Sequence, residues 1–133
     1  MIRCVRLWTG EDRNSHVDEG HIDLELGRGA GSLPVAAATV SFRETEPGGA
    51  YDWHTAPVRQ LVMTLSGTLR FETRGGETFV LRPGDVLLAE DTTGSGHRWS
   101  LMDDQPWRRA YVVLPPDAEV PFVVSQCRPF GKG

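Results

Sequence analysis

A chain of 133 residues, 39% hydrophobic and 24% charged, is one domain of ordinary size that can bury a core without disulfide or metal staples. Its formal charge of −4 argues against nucleic acid or an anionic membrane as the main partner, since both require basic patches. The densest basic pair, Arg108-Arg109, reads as a solvated strand end.

The opening MIRCVRLWTGEDRNSH has neither the apolar stretch nor the small-residue cleavage site of a secretory signal. Apolar runs such as 35–40 are too short to span a bilayer, and a cytoplasmic protein is expected. Cys4 and Cys127 make no disulfide framework, which fits a reducing compartment. Neither stands near an obvious base, so neither is a candidate nucleophile.

Residues 2–8 read as a first strand. The polar, acidic TGEDRNSHVDEGHIDLEL reads as a loop or arm with a short strand over 21–26, and GRGAGS over 27–32 as a flexible connector. From Val35 strand follows strand: 35–46, stopped by Pro47-Gly48-Gly49; 58–65, stopped by Ser66-Gly67; 68–73 and 77–81 around Arg74-Gly75-Gly76. Then come 85–89 after Pro83-Gly84, 97–102, and 107–114, stopped by Pro115-Pro116. The tail is expected to pack back on the rest, with at most a short helix over 116–120. Short strands between Gly and Pro turns predict an all-β protein: sandwich, jelly roll or small barrel. One structural domain is expected, in three parts: an N-terminal strand and arm (1–34), a barrel (35–115) and a C-terminal tail (116–133).

Side-chain parity narrows the site. If the chain stays extended through Pro57, His54, Ala56, Val58, Gln60, Val62 and Thr64 share one face. Leu61, Met63 and Leu65 share the other, and apolar residues on both faces predict cover by another sheet or subunit. His97, Trp99 and Leu101 share a face in the second region.

Two stretches then carry a resemblance. PGGAYDWHTAPVRQLVMTLSG (47–67) and RPGDVLLAEDTTGSGHRW (82–99) resemble the paired motifs of the cupins, small jelly-roll β-barrels. In that pattern His54 takes the first histidine position, Ala56 the second, Gln60 the glutamate position, and Gly67 closes the motif. Pro83-Gly84-Asp85 opens the second motif and His97 ends it, after a loop lacking the usual Pro-x-Gly. DWHTAPVRQ, LLAEDTTGSGH and TGEDRNSH look more narrowly like a subgroup of small bacterial single-domain cupins. The resemblance implies a single-domain cupin fold with an altered metal motif. It leaves function open, because cupins include many enzymes and also non-enzymatic binders.

A typical cupin holds a divalent metal with three histidines and a glutamate, so the resemblance makes His54, Gln60 and His97 the candidate ligands here. Zn, Ni, Fe or Cu suits imidazoles, yet Ala56 leaves a position empty, and a metal-free pocket is the alternative. His16, His21 or an acidic residue of the arm could complete the set, although exposed loop residues are the plainer expectation for both histidines. His54 and His97 are the candidate catalytic pair, as ligands or as a general base. Trp53, Gln60, Arg43 and Trp99 are the candidate substrate contacts; Arg43 or Arg59 could pair a carboxylate, with Arg59 more simply solvated. Glu90 or Asp91 is expected to shape the turn at Thr92 and Thr93.

The expected function is isomerase-, cyclase- or lyase-like chemistry on a small organic molecule. Non-catalytic ligand binding and a metal-dependent dioxygenase are the alternatives, the latter weakened by the missing carboxylate at Gln60. A homodimer through the strands around 2–8 and 61–65 is expected.

Overall fold

The computed structural model describes residues 1–125, and every regular element in that stretch is a strand. In chain order these are β1 (Arg3–Thr9), β2 (Ser15–Ile22), β3 (Thr39–Thr45), β4 (Ala50–His54), β5 (Gln60–Ser66) and β6 (Leu69–Thr73). Then follow β7 (Thr78–Leu81), β8 (Val86–Glu90), β9 (His97–Leu101), β10 (Trp107–Val113) and β11 (Phe122–Val124). A seven-stranded sheet in the order β11-β2-β1-β8-β5-β10-β3 faces a four-stranded sheet in the order β4-β9-β6-β7. This is the all-β jelly-roll barrel that the turn-rich sequence predicts. Among the described residues no helix is long and apolar enough to cross a membrane.

Two-residue alternation divides the large sheet between two cores. Val5, Leu7, Val62, Leu87 and Trp107 point inward and meet Leu69, Phe71 and Leu81 of the small sheet. Their neighbours Cys4, Leu61 and Leu88 point the other way, into a second cluster with Leu114 and Ala118. Val35, Val120 and Phe122 pack against that outer cluster. The cover predicted for the outer face of Leu61 and Met63 is therefore supplied by this chain's own segments, and Leu65 stays 57% exposed. Burial pushes the Cys4 thiol up to about 12, as befits an inert core thiol. Cys127 lies outside the described residues.

Part of the acidic stretch that reads as a loop is β2, so the strand expected over 21–26 begins earlier, at Ser15, and ends at Ile22. Its charges answer arginines on β1. Asp18 stands opposite Arg6 in register, Glu19 lies 2.7 Å from Arg3, and Arg3 also holds Asp85 at 2.8 Å. Polar residues paired across the ladder hid the strand. β1 is internal, antiparallel to β2 and parallel to β8, and β5 is internal too. Neither strand offers the free edge expected to carry a dimer. Among the described residues the edges of this sheet are β11 and β3, and on β3 Val40 and Phe42 are 57% and 74% exposed. Over 116–120, where the sequence allows at most a short helix, there is a turn closed by the Ala118 amide donating to the Pro115 carbonyl at 3.1 Å.

Candidate functional site

Between the sheets lies a cavity of about 590 Å³. Same-face residues of the large sheet form one wall: Gln60 and Val62 of β5, Arg109 and Tyr111 of β10, Arg43 of β3. His54 at the end of β4 and His97 and Trp99 of β9 form the opposite wall. The chain leaves β4 at His54 and crosses between the sheets at 55–59 before β5 begins, so it is not extended through Pro57. Parity breaks there: Ala56 and Gln60 still face the cavity, but Val58 is 42% exposed.

His54 and His97 are direct ladder partners, their ring centroids 4.4 Å apart. Gly96 makes that approach feasible. It sits at φ +76°, and a Cβ there would overlap the His54 carbonyl. His54 Nδ1 lies 2.7 Å from the Asp52 carbonyl, so Nδ1 carries the hydrogen and Nε2 keeps a lone pair. Burial, reinforced by neighbouring His97, pushes the His54 imidazole below its ordinary 6.5, against the opposing pull of the Asp52 carbonyl and the Asp91 charge.

Asp91, fully buried just past β8, is the group sequence reading missed. Its Oδ2 accepts from His97 Nδ1 at 2.6 Å and from Ser15 Oγ at 2.6 Å, while Oδ1 has no partner. The bond fixes the His97 tautomer and leaves Nε2 as its free nitrogen. The turn-shaping role expected of Glu90 or Asp91 falls to backbone instead, the Thr92 amide donating to the Glu90 carbonyl at 2.9 Å. The Glu90 carboxylate binds Arg6 and Arg59, which accounts for Arg59 away from the cavity.

Of the other candidates, Gln60, Arg43 and Trp99 line the cavity, Trp99 edge-on to Trp107 at 4.7 Å. Trp53 does not. His54 faces inward, so its neighbour faces out, and the Trp53 ring lies under Arg74 and Arg98 at 4.0 and 4.7 Å. A bulge between Tyr51 and His54 brings Tyr51 to the rim instead. His16 lies on β2 beside Asp12 at 2.9 Å, and His21 is farther along the same strand; neither lines the cavity.

Arg109 was expected at a solvated strand end, yet it is 3% exposed and lines the cavity. Alternation along β10 accounts for this: Trp107, Arg109 and Tyr111 share a face, and only Arg108 points to solvent. The same count, started from Trp107 as a core residue, would have found it in the sequence.

For a metal, the donors gathered here are the two free Nε2 atoms and the Gln60 amide; Ala56, 3% exposed, offers none. Among the described residues no three His, Cys, Asp or Glu side chains come together in a way that could hold an ion. A catalytic zinc takes three ligands from His, Cys, Asp or Glu, and here only two imidazoles are of that kind, so the donor set does not fit such a centre.

Residues 41–114, more than half of the chain, match the family model of the cupin domain. A cupin-domain-containing oxidoreductase of Neurospora crassa, srdB, is 29% identical over 97 residues, which cover 71% of this chain and 48% of that protein. The chain thus spans about half the length of the curated relative it matches. Among solved structures it is similar to a DUF861 family protein of Thermotoga maritima (TM-score 0.47, 23% identity, covering 56% of this chain and 77% of that one). An uncharacterised double-stranded β-helix protein of Klebsiella pneumoniae gives TM-score 0.47 and 23% identity, covering 70% and 77%.

Proposed function

We propose that this chain, which belongs to the cupin family, is an enzyme that moves a proton on a small organic molecule, in isomerase-, cyclase- or lyase-type chemistry at His97 and His54. The carrying observation is the buried Asp91–His97 bond of 2.6 Å behind a free Nε2 on the cavity. Asp91 holds the ring in one tautomer and faces the positive charge that forms when Nε2 takes a proton from substrate carbon. The electron pair of the broken C–H bond stays on the substrate as an enolate or enol. The proton then returns to a neighbouring atom, or leaves with a departing group. His54, held neutral by its burial, offers a second Nε2 across a 4.4 Å ring separation. The edge-to-face pair of Trp99 and Trp107 gives the site an apolar wall.

Binding without chemistry is the second reading, favoured by Ala56 and Gln60 where the resemblance would put metal ligands. The N. crassa relative is named an oxidoreductase, a reaction class that would need a redox centre beyond two imidazoles and an amide. Metal content of protein purified without added metal bears on this. More than about a tenth of an ion per chain, lost together with folding in chelator, would replace the metal-free reading. A homodimer, if formed, is proposed through β3.

The direct test follows solvent deuterium entering the carbon positions of small carbonyl compounds, by NMR. Wild type is expected to catalyse the exchange, and His97→Gln to lower it by roughly 10²–10⁴-fold. A folded His97→Gln protein that exchanges at the wild-type rate overturns the reading. Ligand binding with no exchange in wild type leaves the binding module standing in its place.

A further inference from the structure

The barrel encloses a positive charge that it does not neutralise. Arg109 is 3% exposed, and among the described residues its charged and titratable neighbours are Tyr111 and Arg43 rather than any acid. Nε donates to Tyr111 Oη at 3.0 Å; Nη1 donates to Thr45 Oγ1 at 2.7 Å and to the Trp107 carbonyl at 3.0 Å. The guanidinium lies over the Trp107 ring at 3.8 Å. These contacts fix its plane, and among the described residues Nη2 has no hydrogen-bond partner. Arg43 stands directly opposite on β3 and also lines the cavity. Tyr111 Oη accepts from Arg109, so its own hydrogen is free to donate.

Burying a cation without a counter-charge is costly, and the nearby Arg43 adds repulsion. In line with that cost, burial pulls the Arg109 guanidinium below its usual range. A fold that keeps such an arrangement on the wall of a cavity has a place for an anion. From this geometry we infer that Arg109, Arg43 and Tyr111 form a carboxylate-binding subsite, and that the substrate is a small organic acid. Its carboxylate would sit at the arginine end and its apolar body along Trp99 and Val62, with its reacting carbon toward His97. The planar fork of Arg matches a carboxylate. Among the described residues no glycine lines the cavity, so a phosphate-type cradle of backbone amides has no counterpart in them. The inference rests on the proton-transfer reading only for the position of the reacting carbon; the anion site stands on the arginines.

The test is calorimetric titration at low salt with pyruvate, benzoate and phenylacetate, each against its neutral amide, and with inorganic phosphate. At least one acid is expected to bind about 10-fold or more tightly than its amide and than phosphate. Arg43→Gln, on an exposed strand that tolerates the change, and Arg109→Lys are each expected to lose about 10-fold in that affinity. His97→Gln is expected to bind the acid as wild type does while losing deuterium exchange. Equal affinity for acid and amide, preference for phosphate, or undiminished binding by a folded Arg43→Gln overturns the subsite. Retained acid binding together with exchange that ignores His97 overturns only the catalytic reading.

Discussion

The two ends of the cavity solve the same electrostatic problem differently. At the histidine end the chain supplies its own complement: Asp91 behind His97, Ser15 behind Asp91, and the Asp52 carbonyl behind His54. At the arginine end, Arg109 and Arg43 face each other with a tyrosine and a threonine but no acid. A self-contained pair can hold its geometry with or without ligand. An uncompensated pair gains from a guest of opposite charge. The contrast separates the groups proposed to move a proton from those proposed to bind a carboxylate.

The sharpest way to break the contrast is to remove one charge from each end and compare stabilities by urea unfolding. Asp91→Ala strands Ser15 and His97 in a buried place, with an expected cost of roughly 1–3 kcal/mol for each orphaned partner. Arg109→Met removes a charge that lacks an opposite partner, and its stability is expected within about 1 kcal/mol of wild type. Equal losses would erase the distinction.

Gly96→Ala comes next. A side chain at φ +76° against the His54 carbonyl is expected to cost about 1–3 kcal/mol, and to push the two imidazoles apart. Thermal melts and the histidine ring NMR signals would report both effects.

A smaller effect concerns pH. Folded His54 takes its proton less readily than the unfolded chain, whose value lies near 6.5. As pH falls through that value, the unfolded state protonates first and draws stability from the fold, until the lowered folded value is passed. Between about pH 8 and about pH 5 the wild-type melting temperature is therefore expected to fall more steeply than that of His54→Asn. Parallel curves would remove the burial argument for His54. Phe42→Glu is the mildest: it is expected to leave stability within about 0.5 kcal/mol while converting any dimer to monomer on a sizing column.

Within the site, residues that recur at strand spacing were legible. His97 with Trp99, and Gln60 with Val62, fall on the cavity side as parity predicts. Plain alternation from His54 already turns Trp53 outward, whereas Tyr51 reaches the rim because a bulge in β4 alters the count just before His54. Asp91 was beyond pattern reading. It precedes His97 in a loop, and only the fold of that loop turns its carboxylate onto the ring and brings Ser15 from the far N-terminal hairpin. Arg109 was legible in principle, but its exposed neighbour Arg108 made the pair look like solvated charge. In the fold, β2 was hidden because the arginines that neutralise it lie on another strand.

The place of β1 has a consequence for how the chain comes to be folded. It pairs in parallel with β8, and Arg3 meets Asp85 across 82 positions of sequence. β1 can join β2 at once, but its other edge stays unmatched until β8 has been made. During that interval Val5 and Leu7, later fully buried, have no partner from the barrel. Closing so long a loop makes the meeting of β1 and β8 a late, slow step. The nascent hairpin is the form most prone to pair with a second chain.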